Sequence, residues 1–227
     1  MKAESASRHS DAEAVVEYYR LQAKDYHNKY YTGNSQSDMA VKPEIELLQN
    51  TFRGLDVLEI ACGTGFWTEI VAESANSILA TDANPSMIAE AEKRLFHLSN
   101  VSFSDADAYS LSDVTGKFTG AFAVLFWCHI PRQRIREFLI ALHDKLAPGS
   151  SVVFIDQLED SDVKTHQRDK HGNMIAGRKA AGKEFCVVKN IPEKQQLLDD
   201  LHEFADDIHY KIHSSGYWSV SWKTGKL

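Results

Sequence analysis

Residues 57–65, Val57-Leu58-Glu59-Ile60-Ala61-Cys62-Gly63-Thr64-Gly65, put a short apolar run directly before a glycine turn. Glycine tolerates positive φ and lets the backbone come close to a ligand. A second run, residues 77–81, ends at Asp82. A carboxylate closing a strand beside such a turn can accept hydrogen bonds from both hydroxyls of a ribose. Together they describe a site for a ligand that carries a nucleoside. A dinucleotide site would continue to a third glycine, and Thr68 holds that place. Glu59, upstream of the turn, would repel a pyrophosphate and suits a ligand with a cationic end.

These residues need a sheet to carry them, and the flanking pattern supplies one. Residues 55–60, 77–81, 101–104, 121–126 and 151–155 are predicted strands. The run Ala121-Phe122-Ala123-Val124-Leu125-Phe126 suits burial on both faces, as in a parallel sheet. Helices are predicted between them: at 66–75, after the N-cap Asn84 with Pro85 at N1, and from Pro131, where Ile135, Phe138, Leu139, Leu142 and Leu146 form one stripe. Pro148-Gly149 ends that helix. Upstream, Tyr19, Ala23, Tyr26 and Tyr30 share one face of a helix over 11–31, and a further short helix covers 43–52. Residues 1–10 read as a frayed tail and 32–38 as a loop. A polar stretch fills 157–182, followed by a strand at 185–189 and a helix from Pro192 to about Ala205. Residues 210–222 alternate Tyr217, Ser219, Ser221 against Trp218, Val220, Trp222, as a strand does. Strands alternating with helices imply an α/β chain with a parallel, helix-covered sheet.

In this order and spacing the chain resembles the class I S-adenosylmethionine-dependent methyltransferases over about residues 40–160. Residues 57–65 resemble their first motif, with Ala61 where the strictest form has Gly. Asp82 with Asn84-Pro85-Ser86-Met87 resembles the ribose-binding strand end, and Ser104-Asp105-Ala106-Asp107-Ala108 the adenine-binding segment. Residues 126–131 resemble the segment after the fourth strand, and Leu146-Ala147-Pro148-Gly149 the turn before the fifth. The segment with Trp127 and His129-Ile130-Pro131, and Val188-Lys189-Asn190-Ile191-Pro192, are also similar to uncharacterised bacterial members.

The resemblance implies a Rossmann-like, seven-stranded, mostly parallel sheet with an antiparallel last strand, helices on both faces and an N-terminal lid helix. The sixth and seventh strands would come from 183–222. It implies S-adenosylmethionine as cofactor and S-adenosylhomocysteine as product. The backbone at Ala61, Gly63 and Gly65 would pass the methionine moiety beside Glu59. Asp82 and Ala83 would lie at the ribose, Met87 against the adenine, and Asp107 with Ala108 at the adenine amino group. Tyr18, Tyr26 and Phe126 would complete the cofactor site. Tyr19, Trp127, His166, Arg168 and Trp218 are the candidates for the acceptor pocket. Core packing is the favoured reading of Trp218 and a solvated loop that of His166 and Arg168, while Trp127 reads first as a pocket wall with ordinary packing as the alternative. One domain is expected: residues 1–40 as lid, 41–160 as cofactor core and 161–227 as C-terminal strands and acceptor segment.

Methyl transfer from a sulfonium is an in-line displacement, in which the protein supplies proximity, orientation and sometimes a base. His129, just past the fourth strand, is the candidate to orient or deprotonate the acceptor, with capping of the next helix as the plainer alternative. The expected reaction is transfer to an N or O of a small, aromatic or heteroaromatic metabolite. A macromolecule methyltransferase and a non-catalytic cofactor-binding protein remain the alternatives. Lys and Arg number 25 against 32 Asp and Glu in 227 residues, a net charge of −7, which disfavours a protein that grips nucleic acid through phosphates. Phe126-Trp127-Cys128-His129 also lacks the Asn/Asp-Pro-Pro-Tyr/Phe pattern of enzymes that methylate amide or exocyclic amino nitrogens. No apolar run approaches the roughly 20 residues of a membrane helix, and residues 1–10 lack a signal-peptide core. Three scattered cysteines fit a cytoplasmic setting, and the ten histidines show no zinc-site spacing. No membrane, nucleic-acid or metal partner is expected, and the chain would be a monomer or homodimer.

Overall fold

The computed structural model describes residues 11–31, 41–159 and 167–225. The expected tail at 1–10, the loop at 32–38 and His166 lie outside the described residues. Seven strands form the main sheet, in the order β3-β2-β1-β4-β5-β10-β9. They are β1 (Asp56–Ile60), β2 (Ser77–Asp82), β3 (Val101–Asp105), β4 (Phe118–Val124), β5 (Leu146–Gln157), β9 (Ala205–Ile212) and β10 (Tyr217–Thr224). The first five run parallel, while β10 is antiparallel to both β5 and β9. The sheet expected from the resemblance is present, antiparallel strand included.

The two faces of the sheet sort the apolar residues by parity, as a period of two requires. Leu58, Ala121, Val152 and Phe154 face one core with Phe138, Leu139 and Leu142. Those three belong to the helix Ile135–Asp144. Val57, Phe122, Val153 and Ile155 face the other core, with Leu48, Phe52 and Val71. These come from the helices Lys42–Phe52 and Phe66–Ala72. Strand order reverses between β1 and β4, so the loops after them part and leave a crevice outside their carboxyl ends. Among the described residues no helix is long and apolar enough to cross a membrane.

Several elements differ from expectation. The N-terminal helix is two, α1 (Asp11–Arg20) and α2 (Ala23–Tyr30). Strand β5 begins at Leu146, before Pro148-Gly149, and its pairing with β4 slips there from Phe118↔Leu146 to Gly120↔Ser151. The expected strand at 185–189 exists as β8 (Lys183–Val188), but it stands outside the main sheet. It pairs antiparallel with β7 (Met174–Ala180), and β7 with β6 (Gln167–Arg168), in a separate three-stranded sheet. Its first two strands lie in the stretch taken as polar loop. Small and charged residues hide β7: Ala176 and Ala180 face inward with the half-buried Arg178 between them, while Gly177 and Lys179 are exposed, so no apolar alternation is visible. The expected helix from Pro192 to about Ala205 is shorter, Lys194–Leu201, and the chain enters β9 at Ala205. As an edge strand β9 is largely exposed and lacks the apolar run that marks β4.

Candidate functional site

The loop after β1 takes three residues into left-handed backbone: Ala61 (φ 55°), Gly63 (φ 57°) and Gly65 (φ 81°). For Ala61 this conformation is strained. Gly65 N-caps the helix Phe66–Ala72, and a Cβ there would lie 2.8 Å from Leu95 Cδ1. Gly65 therefore sets helix packing beneath the loop rather than a wall of the cavity.

Asp82 ties the two loops together. Its Oδ2 accepts from the Gly63 amide at 2.9 Å and its Oδ1 from the Asn84 amide at 2.8 Å. Asn84 in turn accepts from Ser86 N at 3.0 Å, capping the helix Pro85–Leu95 with Pro85 at its start. Burial raises the Asp82 carboxyl to about 6 against the pull of those amides. Glu59 is buried in β1 and accepts from Thr68 Oγ1 at 2.6 Å. Burial pushes it up to about 8, with the hydroxyl opposing and the Asp82 charge adding to the rise. Thr68, which stands in place of a third glycine, thus supplies the partner of the carboxylate.

Both carboxylates line one cavity at the carboxyl ends of β1, β2 and β4, and among the described residues no Lys or Arg lines it. A buried carboxylate without a cation favours its neutral form, so a ligand bringing positive charge is stabilised here and a phosphate is not. Each oxygen of Asp82 retains a lone pair beyond its amide bond. This donor set fits an amino group with a sulfonium at the Glu59 end and ribose hydroxyls at Asp82. Ala61, Gly63, Ala83, Met87, Ala108 and Phe126 share the cavity wall.

The roof comes from α1 and α2. Tyr19, Tyr26 and Tyr31 line it, and Tyr31 stacks on Phe66 with centroids 4.0 Å apart at 8°. Tyr19 Oη lies 3.0 Å from His129 Nε2, and His129 Nδ1 lies 2.8 Å from the Val188 carbonyl oxygen. A carbonyl only accepts, so Nδ1 carries the ring proton. Nε2 then keeps its lone pair and accepts from the Tyr19 hydroxyl. Burial, helped by the Lys189 ammonium, holds the His129 imidazole well below its ordinary range, so it is neutral. Burial raises the Tyr19 phenol.

Other candidates fall elsewhere. Tyr18 packs into the small sheet against Ala176, Ala180 and Val187. Asp107 is exposed and accepts from Tyr109 N at 3.0 Å, so its side chain turns into its own loop. Trp127 is core, edge-on to Phe154 at 5.6 Å, and Trp218 is fully buried against Tyr210. Arg168 is exposed and donates to Gly172 O at 2.8 Å. Sequence reasoning missed Tyr31, Phe66 and Trp67, all on the cavity wall. The aromatic pair directly after Gly65 was the available signal. Among the described residues no group of three or more His, Cys, Asp or Glu is placed to hold a metal ion.

The profile of a family described as "Methyltransferase domain" matches residues 57–149. Phosphoethanolamine N-methyltransferase 1 of Caenorhabditis elegans is 25% identical over 137 residues, 56% of this chain. The match spans only 29% of that protein's length. A solved structure described as a DhpI-SAH complex is 26% identical with a TM-score of 0.75, covering 97% of this chain and 100% of that one. A DhpI-SAM-HEP complex superposes with a TM-score of 0.76 at 24% identity, over 96% and 99% of the two chains.

Proposed function

We propose that this chain is a class I S-adenosylmethionine-dependent methyltransferase that transfers methyl to an oxygen or nitrogen of a small molecule, assisted by Tyr19 and His129. The observation that carries this reading is the Tyr19–His129 hydrogen bond on the wall of the same cavity that Glu59 and Asp82 line. S-adenosylmethionine, when bound, supplies an electrophilic methyl carbon. Glu59 faces its cationic amino end and Asp82 its ribose, while Ala83, Met87 and Ala108 flank the adenine. The roof of α1 and α2 excludes water from the reacting centre. The Tyr19 hydroxyl orients the acceptor and relays its proton: as the acceptor's proton passes to the Tyr19 oxygen, the Tyr19 proton moves along the existing hydrogen bond to the neutral Nε2 of His129.

The tyrosine walls support an aromatic or heteroaromatic acceptor. A second reading, a small non-aromatic amine acceptor, is favoured by the phosphoethanolamine N-methyltransferase named in the worm relative and by the two carboxylates of the cavity. On this reading the chain is one methyltransferase domain, with 1–40 as lid, 41–160 as cofactor core and 161–227 completing the acceptor side. Its three free cysteines suit the cytoplasm, as monomer or homodimer.

Incubating the protein with isotopically labelled methyl donor and a size-fractionated cell extract tests the function. Label in the small-molecule fraction is expected. Label in protein or nucleic acid overturns the small acceptor, and tight S-adenosylhomocysteine binding with no transfer overturns catalysis.

A further inference from the structure

We propose that the three-stranded sheet positions the Tyr19–His129 pair, and that Asn190, backed by Asn173, is the positioning residue that holds His129 in its working tautomer. The proposal rests on the reading that His129 acts at the acceptor.

His129 sits in a short turn, Trp127–His129, between β4 and the helix Ile135–Asp144. A turn this short holds little shape by itself. Two internal bonds close it, His129 N to Phe126 O at 2.9 Å and Ile130 N to Trp127 O at 3.0 Å. Its remaining polar groups are claimed from outside. The Cys128 amide donates to Asp156 Oδ2 at 2.9 Å at the end of β5. The Cys128 carbonyl accepts from the Asn190 amide at 2.7 Å. The Ile130 carbonyl accepts from Asn190 Nδ2 at 2.9 Å, and the Arg132 amide donates to Asn173 Oδ1 at 2.8 Å.

The two asparagines also hold each other. Asn190 Nδ2 donates to Asn173 Oδ1 at 3.1 Å, and Asn190 Oδ1 accepts from the Met174 amide at 2.9 Å. Both residues are buried, and neither lines the cavity. They therefore touch neither cofactor nor acceptor, and what they do reaches the reaction only through the turn. Two residues before Asn190, the Val188 carbonyl accepts the Nδ1 proton of His129 at 2.8 Å. That contact selects the tautomer, and the bonds of Asn190 keep the carbonyl and the ring in register.

The same sheet locates the other partner. Tyr18 of α1 packs against Ala176, Ala180 and Val187, and edge-on to Phe185 at 5.8 Å. Its neighbour Tyr19 is thereby turned toward His129. Both ends of the 3.0 Å hydrogen bond are set by one small sheet, one through packing and one through buried amides.

The test is nitrogen NMR of ¹⁵N-histidine-labelled protein with S-adenosylhomocysteine bound, on wild type and Asn190→Ala. Wild type is expected to show a single His129 tautomer with the proton on Nδ1. In Asn190→Ala the signals should move toward an averaged mixture. Transfer into the small-molecule fraction should fall about tenfold or more through kcat, with S-adenosylhomocysteine affinity within about twofold of wild type. Should Asn190→Ala fail to fold, Asn190→Ser, which keeps one donor and one acceptor, and Asn173→Ala are read in the same way. A fixed Nδ1–H tautomer and an unchanged kcat in the folded variants would overturn the proposal. The tautomer measurement needs no acceptor, so failure of wild type to transfer methyl counts against the function alone.

Discussion

Glu59 is an acid kept without a cation. Its carboxyl sits at about 8 in the folded protein against an ordinary 4.5. The folded state therefore holds a proton there that the unfolded state has lost between those values. Stability from this group is full below about pH 4.5 and declines as pH rises toward 8. Asp82, at about 6, adds the same sign over a lower window. A ligand that brings an ammonium beside Glu59 reverses the preference. Binding of S-adenosylhomocysteine at pH 7 should thus release a proton, up to about one per site, read by calorimetry in buffers of different ionisation enthalpy. Glu59→Gln should abolish the release and weaken binding. His129 behaves in the opposite way. Its depressed affinity for protons predicts no titration of kcat near pH 6.5, with activity held well below that value. His129→Ala should cost about 10²–10⁴-fold in kcat, and Tyr19→Phe should cost less, both with cofactor binding retained. A full rate in His129→Ala at all pH values would remove the pair from the mechanism.

At the scale of elements, the glycine turn works because a helix passes close beneath it. Gly65→Ala meets both a left-handed φ and Leu95 Cδ1 at 2.8 Å. It should destabilise the fold by about 1–3 kcal/mol and weaken cofactor binding, measured by denaturant unfolding and calorimetry on the same sample. This part of the molecule was legible beforehand because its signals are local. The buried run of β4, Asn84 before Pro85, and a carboxylate closing β2 each announce a conformation within a few residues. The acceptor side was not legible, for a physical reason. Tyr19 meets His129, and Asn190 meets Ile130, only across long sequence separations. No local pattern records such contacts. Trp127 and Trp218 look like pocket walls in sequence because aromatic residues serve pockets and cores alike; burial against Phe154 and Tyr210 assigns them to the core. The alanines of β7 hid a strand whose inward face is narrow because α1 lies on it.

At the scale of the whole molecule, the chain divides its chemistry between two sheets. The seven-stranded sheet presents Glu59 and Asp82, and the three-stranded sheet packs against Tyr18 and bonds to His129. The net charge of −7 says little about this division; the two carboxylates facing inward say more. In the cover over the cavity, the flat stack of Tyr31 on Phe66 is the tightest ring contact among the described residues. Tyr31→Ala removes a half-buried ring from its stack on Phe66, so it should lower stability by about 0.5–1.5 kcal/mol in denaturant unfolding, and should speed release of S-adenosylhomocysteine several-fold in stopped flow. The stack also carries a kinetic consequence. If the rings must part before anything leaves, the residence time of a ligand belongs to the door and not to the guest. Spent and fresh cofactor should then leave wild-type protein at the same rate, and their difference in affinity should appear in how fast they enter.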